Sequence, residues 1–257
     1  MANYAAYFID LDGTIYQGAK QFPTGKRFIE RLQATNTDYL FVTNNSTKTP
    51  EDVAANLTDN HQIETKPEQV YTSAMATADY VKELGLKHVM LLGEVSIEQA
   101  LLAQDIELVA SDDPELEAVV VALDRELTYE KLAQATLAIR NGAKFIATNA
   151  DTNLPNERGM LPGAGTIVAA IKTATQVEPI IVGKPEKIIM EQALKHAHKQ
   201  AHETVMVGDN YNTDILAGIN SNMATLLVYS GVSTPESVHQ ESVQPTHEVA
   251  SLDDWTL

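Results

Sequence analysis

Along the chain, apolar runs of strand length alternate with longer stretches whose apolar positions recur at helical spacing. Residues 5–9 (AAYFI), 38–42 (DYLFV), 179–182 (PIIV), 204–207 (TVMV) and 224–230 (ATLLVYS) read as strands. They show little polar alternation, as expected of parallel strands covered on both faces by helices. Residues 23–34, 49–59, 185–200 and 213–222 read as the helices between them, with Thr49 and Pro50 forming a cap and first-turn pair. A β–α alternation of this kind predicts a doubly wound parallel sheet. The middle of the chain repeats the pattern independently: strands at 87–93, 106–110, 118–123 and 144–149, helices at 96–104 and 128–143. About a hundred residues make a domain's worth of chain. The expected architecture is therefore α/β, a Rossmann-like core of residues 1–79 and 180–257 with an inserted α/β cap at 80–179.

Composition narrows the partners. The 257 residues carry 35 acidic and 18 basic side chains, a formal charge of −17. Such a surface repels nucleic acid and anionic membrane, which both require a basic footprint. There is no cysteine, so disulfides, thiol nucleophiles and cysteine-ligated metals are excluded. With no basic-then-apolar leader and no apolar stretch of membrane-spanning length, a cytoplasmic protein is expected.

Ligands of open parallel sheets bind beyond the carboxyl ends of the strands. There the sequence sets Asp10 and Asp12 after the first strand, and Thr43, Asn44 and Asn45 after the second. Gly183 and Lys184 follow residues 179–182, and Gly208, Asp209 and Asn210 follow 204–207, with Asp214 a helical turn later. Carboxylates without histidine or cysteine suit a hard, oxygen-preferring ion such as Mg²⁺, which Asp10 and Asp209 can share. A lysine and a hydroxyl beside that ion make a phosphate site. Asp10 can then attack phosphorus as a carboxylate nucleophile, and Asp12 can protonate the leaving oxygen and later activate water. His198 and His202 have the spacing of a helical metal pair, but a solvated helix face is the expected reading.

The ordered motifs DLDGTIYQG (10–18), FVTNNST (41–47), VGKP (182–185) and VGDNYNTDILAG (207–218) resemble the four signatures of the haloacid dehalogenase superfamily, phosphatase branch. The insert resembles its C2-type cap, and residues 147–171 and 229–238 resemble the NagD and para-nitrophenylphosphatase subfamily. The resemblance implies that Asp10 is nucleophile and Mg²⁺ ligand, with Asp12 acid/base and metal ligand through its backbone carbonyl. It implies phosphate contacts from Thr43, Asn44 and Asn45, charge compensation by Lys184 and a metal-ligand carboxylate on Asp209. Asp214 would orient the metal's water shell or Lys184, with Asn210 beside it. Asp124, Asn149 and Asp151, at the ends of insert strands, are the candidates for substrate contact from the cap. The implied activity is Mg²⁺-dependent hydrolysis of small phosphorylated metabolites, sugar phosphates or nucleoside monophosphates, through an aspartyl-phosphate. A phosphotransferase or mutase would use the same core, and a non-catalytic phosphometabolite sensor is the remaining alternative. The cap is also the surface through which a homodimer is expected.

Overall fold

Parallel strands as apolar as Ala6–Ile9, buried at every residue, need cover on both faces, and the chain supplies it with helices. The structure, a computed structural model, describes residues 4–156 and 158–257. It divides into two units, each with its own sheet.

The first unit comprises the chain through Thr43, Pro50–Tyr71 and Lys184–Leu257. Its sheet runs, from edge to edge, His247–Val249, Ala224–Val228, Thr204–Gly208, Ala6–Ile9, Asp38–Thr43 and Val70–Thr72, the last strand ending one residue beyond the unit. Ala6–Ile9 pairs in parallel with both central neighbours, Ile9 standing opposite Val207 on one side and Phe41 on the other. The helix Pro23–Ala34 starts with proline at a position where a missing N–H costs nothing. It buries Phe28, Ile29 and Leu32 in a core shared with Tyr7, Ile9 and Phe41. Each of these side chains contributes about 1.5–3 kcal/mol through burial. The helices Pro50–His61 and Lys187–His196 complete the layers.

The second unit comprises Asn44–Thr49 and Thr72–Gly183. Its sheet order is Ile180–Ile181, Lys144–Ala147, Ala118–Val121, His88–Leu92 and Glu107–Leu108, every pair parallel. The hydroxyls of Thr72 and Thr128 accept backbone N–H groups at the starts of Ser73–Glu83 and Tyr129–Arg140, capping both helices. An antiparallel hairpin, Asn153–Asn156 with Gly159–Pro162, precedes the helix Ala164–Thr175.

Two expectations change. Residues 179–182 do not form a strand of the first unit; Ile180–Ile181 closes one edge of the second unit's sheet against Lys144–Ala147. The apolar run announced a strand but could not name its sheet. The helix expected over 185–200 spans only Lys187–His196, because His198 has φ of 53° and turns the chain out of helical space. His202 then lies in a separate short turn, so the two histidines do not share a helix face.

Candidate active site

The parallel register explains why two distant aspartates meet. Ile9 pairs with Val207, and the Asp10 N–H donates to the Val207 carbonyl at 2.9 Å, so both strands end at one level. Asp10 and Asp209 follow directly. Carboxylate oxygens of Asp10, Asp209 and Asp214 all lie within 4.8 Å of one another. Such crowding requires a very close backbone at Gly13, which has φ of 92° and leaves a Cβ only 2.5 Å from an Asp209 oxygen. Gly231 approaches the same carboxylate even more closely, so a side chain at either position would displace it.

Lys184 holds this cluster together. Its Nζ donates to Asp10 Oδ1 at 2.5 Å, to Asp214 Oδ1 at 2.7 Å and to the Val42 carbonyl at 3.1 Å. The Lys184 and Asp214 side chains are each 2 % exposed, and that of Asp10 is 12 % exposed. Asp214 is itself aimed from a helical turn, Tyr211–Ile215, where the Asn210 N–H donates to its Oδ2 at 3.1 Å. Asn210 caps that turn by accepting the Asn212 N–H. Asp209 accepts from the Thr14 hydroxyl at 3.0 Å and from the Val232 N–H at 2.8 Å.

Burial, then the charge of Asp214, holds Asp10 well above the usual carboxylate range, against the pull of Lys184. Burial and Asp214 likewise push Asp209 up to about 6, although Val232 and Thr14 hydrogen bonds oppose them. Burial would lower Lys184, but Asp10 and Asp214 outweigh it and hold the ammonium above its ordinary range. Three carboxylates face one ammonium, so the cluster keeps surplus negative charge in a buried, all-oxygen setting. That donor set fits a hard divalent cation such as Mg²⁺, which prefers carboxylate oxygens.

Asp12 stands apart from the trio. It is exposed, and its Oδ1 accepts the Gly18 N–H at 3.2 Å from the tip of the short hairpin Tyr16–Gln17 and Lys20–Gln21. Thr43 ends its strand half-buried. Asn44 and Asn45 belong to the second unit, where the Asn44 amide donates to Asp151 at 3.1 Å and its carbonyl accepts from Ser73 and Asn149. Asn45 accepts the N–H groups of Thr47 and Lys48, which fixes a turn. Asp124 pairs with Lys131 at 2.7 Å and accepts the Glu126 N–H, while Asn149 accepts the Asp151 N–H. All three cap candidates therefore make structural bonds inside their own unit.

The sequence reading passed over Thr14 as an Asp209 partner, and over Gly231 and Val232. The available signal was the strand Ala224–Val228, whose carboxyl end delivers Ser230–Ser233 to the same edge. The Ser230 hydroxyl donates to the Gly13 carbonyl at 2.6 Å and closes that loop on the site.

Known proteins resemble this chain over most of its length. A family model described as haloacid dehalogenase-like hydrolase matches residues 7–107, and a HAD-hydrolase-like model matches residues 181–255. The chain is 47% identical to an acid sugar phosphatase of Staphylococcus aureus over 255 residues, 99% of this chain and 97% of that one. A crystal structure of a double mutant thermostable NPPase from Geobacillus stearothermophilus is 48% identical, with TM-score 0.91 and coverage of 100% and 99%. NagD from E. coli K-12 is 29% identical, with TM-score 0.93 over 99% of each chain. Among the described residues, no helix is long and apolar enough to cross a membrane.

Proposed function

The chain belongs to the haloacid dehalogenase-like hydrolase family, in the branch of NagD and the p-nitrophenylphosphatases, and is a phosphatase of that family; on that premise we propose that it hydrolyses small phosphomonoesters, sugar phosphates foremost, through an aspartyl-phosphate on Asp10 with Mg²⁺ as cofactor. The observation that carries this reading is the buried Asp10 carboxylate held 2.5 Å from the Lys184 ammonium beside Asp209 and Asp214. The sugar-phosphate preference rests on the acid sugar phosphatase relative.

An Asp10 oxygen attacks phosphorus as the bond from phosphorus to the ester oxygen breaks, and Asp12 gives that leaving oxygen its proton. Asp12, now a carboxylate, takes a proton from water as the water oxygen attacks the phosphoryl group. The bond to Asp10 breaks, inorganic phosphate leaves, and both aspartates return to their starting states. Lys184 fixes the nucleophile and offsets charge on the phosphoryl oxygens, while Asp214, aimed by Asn210, holds the ammonium in place. Thr43, at the end of the neighbouring strand, contributes a hydroxyl to the phosphoryl oxygens. Asp10, Asp209 and the Asp12 carbonyl would hold Mg²⁺, which when bound neutralises phosphate and carboxylate charge together. Cytoplasmic residence and pairing of two copies through the second unit belong to the same proposal, on resemblance alone.

Acid quench during turnover followed by borohydride should convert Asp10 to homoserine. No reduction, or reduction elsewhere, would end the covalent route. EDTA should abolish release of phosphate from p-nitrophenyl phosphate and Mg²⁺ restore it, and a panel of sugar phosphates and nucleoside monophosphates would rank the substrates.

A further inference from the structure

We propose that Tyr16 and His61 are positioning residues for Asp12, acting by docking the hairpin that aims its carboxylate. The proposal rests on the reading of Asp12 as the acid of the first step. The hairpin contains two residue pairs, Tyr16 with Gln21 and Gln17 with Lys20. Two-stranded hairpins are marginal in water even when longer, so this one takes its place from what it is docked against.

That support is the carboxyl end of the helix Pro50–His61. The Tyr16 and His61 rings stack with centroids 4.2 Å apart and planes 11° from parallel. His61 is only 3 % exposed, so the ring that Tyr16 rests on is fixed in the protein interior. One residue earlier, the Asn60 carbonyl accepts from the Gln21 side-chain amide at 2.5 Å. Both strands of the hairpin are thus fastened to one helix end. At its near end, the Tyr16 carbonyl accepts the Gly13 N–H at 2.6 Å. At its tip, Gly18, with φ of 54°, points its N–H at Asp12 Oδ1. Asp12 is exposed and lacks the enclosure that fixes Asp10, so the orientation of its carboxylate depends on this backbone donor. Burial, then the charges of Asp12 and Asp10, hold the Tyr16 phenol above its ordinary range. A flat ring-on-ring contact holds the plane of Tyr16, whereas an aliphatic partner would let it slide.

Leaving-group dependence separates positioning from plain structural support, because only a poor leaving group needs a proton in the transition state. The full-length Mg²⁺-loaded protein would be assayed on p-nitrophenyl phosphate and on an alkyl phosphomonoester, by phosphate release. His61→Ala should lower kcat/KM, which reports the step in which the leaving group departs, roughly tenfold more on the alkyl ester than on the aryl ester, with Asp12→Asn showing a larger difference of the same sign. His61→Phe, which keeps a ring, should return the ratio to within about twofold of the parent. Gln21→Ala, at an exposed site that leaves the core intact, should move the ratio the same way by about threefold. Equal losses on both esters in His61→Ala, with Asp12→Asn still selective, overturn the positioning role alone. An Asp12→Asn ratio equal to the parent's overturns the acid assignment and this inference with it. Should His61→Ala fail to fold, an unchanged ratio in Gln21→Ala overturns the proposal.

Discussion

The two units use the same scaffold, a parallel sheet whose inner strands are largely buried, yet they treat the carboxylates that follow those strands in opposite ways. In the second unit, Glu94 receives two hydrogen bonds from the Arg125 side chain and one from its backbone, and these hold its carboxyl below the usual range. Asp124 is matched by Lys131 and a backbone N–H within seven residues of chain. In the first unit, Asp10 and Asp209 are held above the usual range, since burial and neighbouring carboxylates outweigh one lysine. Strand ends alone do not make a catalytic edge. What separates the units is a concentration of charge that the protein leaves partly uncompensated, a state that a cation and a phosphate can complete.

The sharpest break in that comparison is Asp10→Asn. It should lower kcat by about 10⁴-fold or more, because an amide cannot form the proposed acyl-phosphate at this position. The fold should survive, since burial already favours a neutral group at this position and Lys184 keeps Asp214. Steady-state assays on p-nitrophenyl phosphate with circular dichroism would check both parts. Near-parental turnover would end the assignment of the nucleophile to Asp10.

Lys184→Met comes next and acts on stability as well as rate. Removing one partner from a buried ion pair leaves Asp10 and Asp214 facing each other without the ammonium, at a cost of about 3–5 kcal/mol. Protonation of one aspartate would relieve part of that cost, so the loss in urea denaturation should shrink as pH falls. A loss independent of pH would mean that the lysine supports packing rather than charge.

Much of this contrast was legible in the residues, and the exceptions have physical causes. Asp10, Asp209 and Lys184 stand out because charged side chains at the ends of apolar runs are costly without a partner, and Asp214 stands a helical turn beyond Asp209. The α/β class followed from periodicity, as both parallel sheets bear out. Periodicity is local, however, and sheet membership is not: the run at 179–182 carries no mark of which sheet it joins, so Lys184 seemed to close a core strand when it opens a loop. Asn44 and Asn45 follow a core strand in sequence but make their bonds with Asp151, Ser73, Asn149 and their own turn. Thr14 and Val232 escaped notice because a hydroxyl and a backbone N–H become site groups only when tertiary structure points them at Asp209.

The elevated Asp209 sharpens the comparison through pH. Its carboxyl binds a proton more tightly folded, near 6, than in the unfolded chain, where about 3.9 is usual. Its contribution therefore favours the folded, metal-free protein at low pH and is lost as pH rises through about 6. A divalent ion needs the deprotonated forms of Asp209 and Asp10, so its affinity moves the other way and should fall at least about tenfold per unit below that point. Melting temperatures with and without Mg²⁺ should differ more at about pH 7.5 than at about pH 5. A stabilisation by Mg²⁺ that ignores pH across this window would show that Asp209 does not hold the ion.

Lys131→Met in the second unit is the counterpart of Lys184→Met and should have the smallest effect. Both changes remove the ammonium paired with a buried aspartate at 2.7 Å, so chemistry and distance are matched. They differ in exposure: the Lys131 side chain is 40 % exposed, and Lys184 is 2 % exposed. Solvent already screens the Lys131 pair, and Asp124 keeps the Glu126 N–H when the lysine is gone. The expected cost is about 1 kcal/mol or less, with kcat/KM on p-nitrophenyl phosphate within about twofold of the parent. Urea denaturation of the two lysine variants side by side would measure the difference directly. Equal losses would show that local matching of charge, rather than its concentration, governs both sheets.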